Sequence, residues 1–128
     1  IRAYGNESGY ADSVSSMEFN DYKILNEKFN DVVTIQDILK NNLTYSYNQI
    51  QFMMEATSNR HLTVSGGNAT ISSYFGGDVL IYTHPKCGNA TRGMWYTNSW
   101  LSKVSGANIY GFQNFDDLID KATELWVK

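Results

Sequence analysis

Residues 60–84 decide the fold and read RHLTVS, GGN, ATISSYF, GG and DVLIYTH in order. Three runs rich in strand-forming residues are separated by two Gly-Gly pairs. Glycine readily adopts the positive φ that two-residue hairpin turns require. The stretch therefore predicts a three-stranded antiparallel meander with turns at Gly66-Gly67 and Gly76-Gly77.

Side-chain alternation predicts which faces of these strands are buried. In the first strand Leu62 and Val64 lie on one face, which we expect to be buried, and His61 and Thr63 lie on the other. The third strand contains the run Val79–Ile81, which predicts burial on both faces. Pro85 ends that strand because proline donates no ladder hydrogen bond.

Helices are predicted before the meander. Ser15 with Glu18 and Thr34 with Asp37 have the spacing of a capping box, which marks two helix starts. A third helix is predicted from Tyr47 to Ala56, where Gln, Met, Glu and Ala favour a helix. Alternation just before it also fits a strand.

After the meander, residues 94–104 (MWYTNSWLSKV) and 107–112 (ANIYGF) predict a fourth and a fifth strand. Asn114 is the expected cap of a last helix. Its apolar residues form one stripe, which we expect to cover a face of the sheet: Phe115, Leu118, Ile119, Ala122, Leu125 and Trp126.

The predicted architecture is α+β, with N-terminal helices, a five-stranded antiparallel sheet and a C-terminal helix packed on it. Residues 1–16, rich in Gly, Ser and Asn, predict a flexible N-terminal arm. Residues 17–128 then form a single domain, a size that can bury its own core.

Composition limits the partners and cofactors. The net charge of −3 and the pI near 5.2 disfavour a nucleic-acid partner. No apolar run is long enough to span a membrane. One Cys and two His do not provide a zinc-type cluster, and no phosphate-binding or dinucleotide motif predicts a cofactor.

The compartment and the oligomeric state stay open. Cys87 is the only cysteine, so no internal disulfide forms, which favours a reducing compartment. Four Asn-X-Ser/Thr sequons favour the opposite, although most are expected by chance in a chain rich in Asn: Asn6, Asn42, Asn68 and Asn89.

A candidate catalytic site lies at the end of the third strand. The meander puts His61 and His84 at opposite ends of the sheet, about 16 Å apart along the strands, which disfavours a two-histidine mechanism. It gathers polar residues around His84, among them Arg92, Lys86 and Asn89. Imidazole and guanidinium together are suited to general-base chemistry on a phosphate or acyl group. The alternative is a structural His84 that caps its strand.

Cys87 is a weaker candidate for the nucleophile, because residues 88–92 predict a loop rather than a helix start that would activate a thiolate.

Aromatic residues of the predicted fourth strand form a candidate binding surface. Alternation puts Trp95 on one face and Tyr96 with Trp100 on the other. Exposed aromatic rings bind sugars by stacking or anchor a protein partner. The alternative is that these rings pack in the core under the last helix.

Two functions follow. The first is a small acidic recognition module that binds a protein or glycan through these aromatic residues and the 85–92 loop. The second is a small hydrolase or transferase that uses His84 and Arg92, such as an RNase-like or NAD-processing toxin or effector domain, by fold analogy alone. Exposure of Trp95 or Trp100 favours binding, whereas a cleft at His84 and Arg92 favours catalysis.

Overall fold

The computed structural model describes residues 21–29, 31–41, 44–86, 97 and 100–127. The chain divides into two compact units, Ile1–Met53 and Met54–Lys128. The predicted arm and the predicted helix start at Ser15 lie outside the described residues.

The first unit contains helices α1 (Asp21–Lys28), α2 (Ile35–Asn41) and most of α3 (Tyr47–Thr57). The capping box predicted for α2 is confirmed, since Thr34 N donates to Asp37 Oδ2 (3.1 Å) and Asp37 N donates to Thr34 Oγ1 (3.2 Å). The prediction of α3 is also confirmed, and a second capping box of Ser46 and Gln49 starts it.

The second unit alternates strands and helices. After the end of α3 come β1 (Arg60–Val64), α4 (Gly67–Phe75) and β2 (Asp78–Tyr82). Next come α5 (Leu101–Ser105), β3 (Asn108–Phe112) and α6 (Phe115–Trp126). The strand order is β1-β2-β3, and both pairs are parallel, with His61 opposite Val79 and Leu80 opposite Tyr110.

The predicted five-stranded antiparallel meander is therefore wrong. The chain combines helices with a sheet, but the sheet formed by the described residues has three strands, all parallel. The predicted middle strand is helix α4, and the predicted fourth strand ends in helix α5, the rest of it falling largely outside the described residues. The strand predicted at residues 107–112 is confirmed as β3.

Small residues explain why α4 is a helix. Ala69, Ser72, Ser73 and Gly76 are buried and follow the i, i+3, i+4, i+7 spacing of one helical face. The Ser73 hydroxyl donates to the carbonyl four residues before it, Ala69 O (2.6 Å), and Ser72 Oγ lies 3.0 Å from Asn68 O. The buried face therefore carries no hydrophobic signal, which is why the sequence suggested a strand.

The Gly-Gly pairs bound this helix instead of closing hairpins. Gly66 is the N-cap of α4, while Gly76 and Gly77, with φ of 88° and 76°, turn the chain into β2. A Cβ on Gly77 would overlap the backbone of Asn59, whose carbonyl accepts a hydrogen bond from Asp78 N (2.9 Å). Gly77 thus allows the starts of β1 and β2 to approach closely.

Helices cover both faces of the sheet. On one face Val79 and Ile81 form a buried cluster with Ala69 of α4, Leu101 of α5 and Ala107. On the other face α6 packs, because the Phe115 ring contacts the Tyr82 ring (6.0 Å between centroids) and Trp126 Nε1 donates to Asp78 Oδ2 (3.3 Å). The predicted burial of β2 on both faces is confirmed.

Helix α6 matches its prediction in extent but only partly in burial. Asn114 Oδ1 accepts a hydrogen bond from Asp116 N (2.9 Å), as expected of its cap. Leu118 is fully buried, whereas Ile119 is exposed and Leu125 is half-buried. At its surface Lys121 hydrogen-bonds Glu124, which raises the pKa of the lysine ammonium.

Replacing Gly77 with Ala should lower the free energy of unfolding by at least about 2 kcal/mol, because the Cβ clashes with backbone and φ is positive. Chemical denaturation measures this loss. The matched control is Gly67→Ala, where no described atom lies within 4 Å of the new Cβ and φ is not positive. An equal loss in both variants would contradict the assigned role of Gly77.

Leu118→Ala should cost about 2–5 kcal/mol, as expected for truncation of a fully buried leucine. Ile119→Ala, at the next and exposed position of the same helix, should cost less than about 1 kcal/mol. Comparable denaturation midpoints for the two variants would show that α6 does not present Leu118 to the core.

Candidate functional site

The carboxyl ends of the three parallel strands meet at one edge of the sheet, where ligands generally bind in such folds. Hydrogen bonding between the strands continues one residue past the ends of β1 and β2. Ser65 N donates to Tyr82 O and Thr83 N donates to Phe112 O, each at 2.8 Å. This edge, termed here the carboxyl edge, comprises Ser65 to Gly67, Thr83 with His84, and Gln113 with Asn114.

His84 lies at the carboxyl edge and is exposed. Its Nδ1 accepts a hydrogen bond from Lys86 N (3.2 Å), and its ring meets the Tyr82 ring edge-on (6.4 Å between centroids). Because Tyr82 also contacts Phe115, His84 and the start of α6 share this edge. Parallel strands bring them together, whereas the sequence argument relied on an antiparallel meander.

The other predicted site residues have different outcomes. Lys86 is exposed beside His84. Five of them lie outside the described residues, so their roles, including the catalytic pairing of His84 with Arg92, stay predictions: Cys87, Asn89, Arg92, Trp95 and Tyr96.

Trp100 is the aromatic residue of the predicted binding surface that the structure describes, and it is 53% exposed. Its ring packs edge-on against Tyr74 of α4, with 5.7 Å between centroids and an interplanar angle of 77°. Tyr74 is itself 50% exposed. Val104 N donates to Trp100 O (3.2 Å), so the exposed Val104 lies one turn along the same side. We call Tyr74, Trp100 and Val104 the aromatic surface.

The hydrogen bonds that hold this surface in place are internal. Ser105 Oγ donates to Ser73 O (2.7 Å) and lies 2.9 Å from Leu101 O, which joins α5 to α4. The two helices that carry the rings are therefore linked directly. Sequence alone does not show this link, because the residues around Tyr74 predict a strand.

Thr83 is a feature of the carboxyl edge that the sequence argument missed. Its side chain is 1% exposed, and its hydroxyl has no hydrogen-bond partner among the described residues. Buried hydroxyl groups nearly always have a partner, and each exception needs an explanation.

The structure also brings together three buried polar side chains whose contact the sequence does not predict. They are Glu55, His61 and Ser72, called here the buried trio. Glu55 Oε2 accepts a hydrogen bond from Ser72 Oγ (2.8 Å) and lies 3.0 Å from His61 Nδ1. His61 Nε2 lies 3.2 Å from Ser58 O. The trio joins the end of α3 to β1 and α4.

The trio contains the residue types of a hydrolase triad but not its arrangement. In a triad the imidazole accepts the hydroxyl proton, and an acid orients the other nitrogen. Here the Ser72 hydroxyl and the imidazole both bond the same carboxylate oxygen, and all three side chains are buried. The arrangement fits a structural cross-link.

This trio also corrects the predicted faces of β1. His61 is buried, whereas Leu62 and Val64 are 52% and 65% exposed, the reverse of the expectation. The Glu55 carboxylate lies on the buried side of β1, where it partners His61 Nδ1 and accepts from Ser72, so a polar side chain takes the buried position.

Neither a metal cluster nor a membrane-spanning helix occurs within the described ranges. Within the described ranges no three His, Cys, Asp or Glu residues come together as a metal site. None of the described helices is both long and apolar enough to cross a membrane.

Comparison with protein-family models, with curated proteins and with solved structures finds no significant match to this chain.

Glu55→Ala should lower the free energy of unfolding by about 1–3 kcal/mol, because it leaves the buried His61 Nδ1 without its partner and removes the bond between the Ser72 hydroxyl and the carboxylate. The matched control is Glu124→Ala, whose carboxylate is at the surface of α6. It should leave the denaturation midpoint nearly unchanged. Equal midpoints for wild type and Glu55→Ala would contradict the cross-link.

Proposed function

We propose that this protein is a recognition module that binds a protein partner through the aromatic surface. The observation that carries the proposal is the exposed Trp100 ring held against the exposed Tyr74 ring. Trp and Tyr are the residues most enriched among those that dominate binding energy at protein interfaces.

The neighbours of the two rings favour a protein over a glycan. Val104 extends the surface with aliphatic carbon, and Phe75, the residue after Tyr74, is also exposed. Sugars need polar side chains to bond their hydroxyls, yet Ser73 and Ser105 are engaged in internal hydrogen bonds. An apolar recess on a partner protein complements such a surface.

Binding through these two rings costs little conformational entropy, because the rings are already restrained. The Tyr74 and Trp100 rings restrain each other, and the Ser105 bond joins their helices. A preordered side chain loses less conformational freedom on binding. The residues Lys86, Asn89, Trp95 and Tyr96 remain predicted contributors to the same function.

The proposal is tested by selecting peptides from a displayed random library against the immobilised protein. Selected peptides should bind wild type and lose on the order of 30-fold in affinity for Trp100→Ala, as for an interface hot spot. The control is Phe115→Ala, which removes an exposed ring from the opposite face of the sheet and should leave affinity unchanged. Circular dichroism verifies that each variant folds.

Three results would overturn the proposal. One is a selection that enriches no peptide, and another is a set of enriched peptides that bind Trp100→Ala as well as wild type. The third result is that the protein binds immobilised sugars on a glycan array and that Trp100→Ala abolishes this binding. The ligand would then be a glycan.

A second candidate function is the hydrolase or transferase that uses His84 and Arg92. It is supported by the exposed position of His84 at the carboxyl edge. His61→Ala is unsuitable as the inert control for His84→Ala, because His61 belongs to the buried trio.

A further inference from the structure

We propose that the outer edge of β1 pairs with β1 of a second copy of this chain, so that the two three-stranded sheets join into one. The two strands are antiparallel and are related by a two-fold axis between their Leu62 residues. This interface goes beyond the protein-binding function proposed for the aromatic surface, which is carried by α4 and α5 and uses no residue of β1.

The outer edge of β1 presents unpaired backbone groups. Within the described sheet β1 has β2 on one side only. Alternate residues of a strand bond the same neighbour, and Ser65 N donates to Tyr82 O, so the odd-numbered residues of β1 direct their backbone groups at β2. The N–H and C=O groups of Arg60, Leu62 and Val64 therefore point away from β2.

These outward groups are open to another strand. Within the described part of the chain, one hydrogen bond reaches them, from Thr63 Oγ1 to the Val64 carbonyl (3.3 Å), and that carbonyl keeps its second lone pair. A row of unpaired N–H and C=O groups is a template for strand pairing, which many proteins prevent with lysine or proline on the edge. Residues 61–65 (HLTVS) contain neither.

The side chains along this edge also favour a covering strand. Leu62 and Val64 are exposed because α6, on their side of the sheet, packs on β2 and β3. With the axis at Leu62, the middle residue of β1, each Leu62 lies opposite its copy and each Val64 lies opposite Arg60 of the other chain. Cross-strand neighbours of this kind bury apolar carbon beside the ladder of hydrogen bonds.

Charge complementarity identifies the second strand as a copy of the same chain. Arg60 is exposed at the amino end of β1, on the same face as Leu62, and Asp116 is exposed at the start of α6. The start of α6 lies at the carboxyl edge, since Phe115 contacts Tyr82. Antiparallel pairing brings the amino end of one β1 beside the carboxyl end of the other, so each Arg60 approaches Asp116 of the other copy.

The contact is closed by its symmetry. Both copies use the same surface, and each contributes one arginine and one aspartate, so the two ion pairs are equivalent. An isologous contact of this kind ends at a dimer and does not continue into a fibre.

The test measures the mass of the protein by sedimentation equilibrium over a wide range of concentration. Wild type should pass from monomer to dimer as concentration rises, because one strand pair buries less area than an obligate dimer interface. Leu62→Lys should stay monomeric, since two ammonium groups would meet at the axis, and should melt as wild type does because the position is exposed. The matched control is Val104→Lys, at an exposed aliphatic residue of α5, which should dimerise like wild type.

Charge reversal tests the orientation of the two copies. At low ionic strength, Arg60→Glu and Asp116→Arg should each weaken dimerisation on the order of tenfold, because each places like charges together twice. The double variant, Arg60→Glu with Asp116→Arg, should recover the affinity of wild type, because the ion pairs form again with their charges exchanged. A role of either residue within one chain would not produce this recovery.

A disulfide tests the position of the axis. Hydrogen-bonded residues of an antiparallel pair have Cα atoms about 5.5 Å apart, which a disulfide spans. In a Cys87→Ser background, Leu62→Cys should form a covalent dimer on mild oxidation, whereas Val104→Cys should not.

Three results would overturn the proposal. In the first, wild type stays monomeric at every concentration, and the strand of another protein is then the occupant of this edge. In the second, the dimer persists in Leu62→Lys. In the third, Val104→Lys abolishes the dimer, which would move the interface to the aromatic surface. Peptide binding through Trp100 is measured separately, so failure of the dimer does not test that function.

Discussion

The parallel pairing of β2 with both of its neighbours is the constraint on which the second unit depends. Parallel neighbours cannot be joined by a tight hairpin, so each pair needs a crossover long enough to return the chain to the starting edge. Helix α4 provides the first return and α5 belongs to the second. Because all three strands run the same way, their carboxyl ends lie together. That arrangement brings the start of α4, Thr83, His84 and the start of α6 to one edge.

Polar contacts determine which face of the edge strand β1 is buried. Glu55 accepts from Ser72 and meets His61, so three consecutive elements of the chain converge on a single carboxylate. A one-residue shift of β1 would turn His61 outward and leave that carboxylate buried without the imidazole. Hydrophobic burial would favour the opposite face, because Leu62 and Val64 are exposed in the actual register. The polar trio therefore decides the register of β1.

The sequence predicted those elements whose signals are local. The Thr34–Asp37 box, the extent of α3 and the Asn114 cap depend on neighbouring residues, and the structure contains all three. The direction of the strands depends on α4, whose buried face consists of Ala, Ser and Gly and shows no hydrophobic periodicity. The continuous apolar run Val79–Ile81 was an available sign of a parallel sheet, because such strands are buried on both faces.

At the candidate site, His84 was visible as a polar residue ending a strand. Thr83 and the ring pair of Tyr74 with Trp100 were not, since both follow from the placement of α4.

The small residues on the inner face of α4 also determine how the chain tolerates substitution. Ala69, Ser72 and Ser73 are buried. The Ser73 hydroxyl donates to a carbonyl of its own helix, and the Ser72 hydroxyl donates to Glu55. A change from serine to alanine at 73 removes only that local bond, whereas a larger side chain at any of the three positions would push the helix off the sheet. At positions 69 and 73, volume more than polarity is therefore the property that mutation must conserve. A mutational scan read only for hydrophobicity would misjudge this helix, because its tolerated residues would range from polar to apolar while remaining uniformly small.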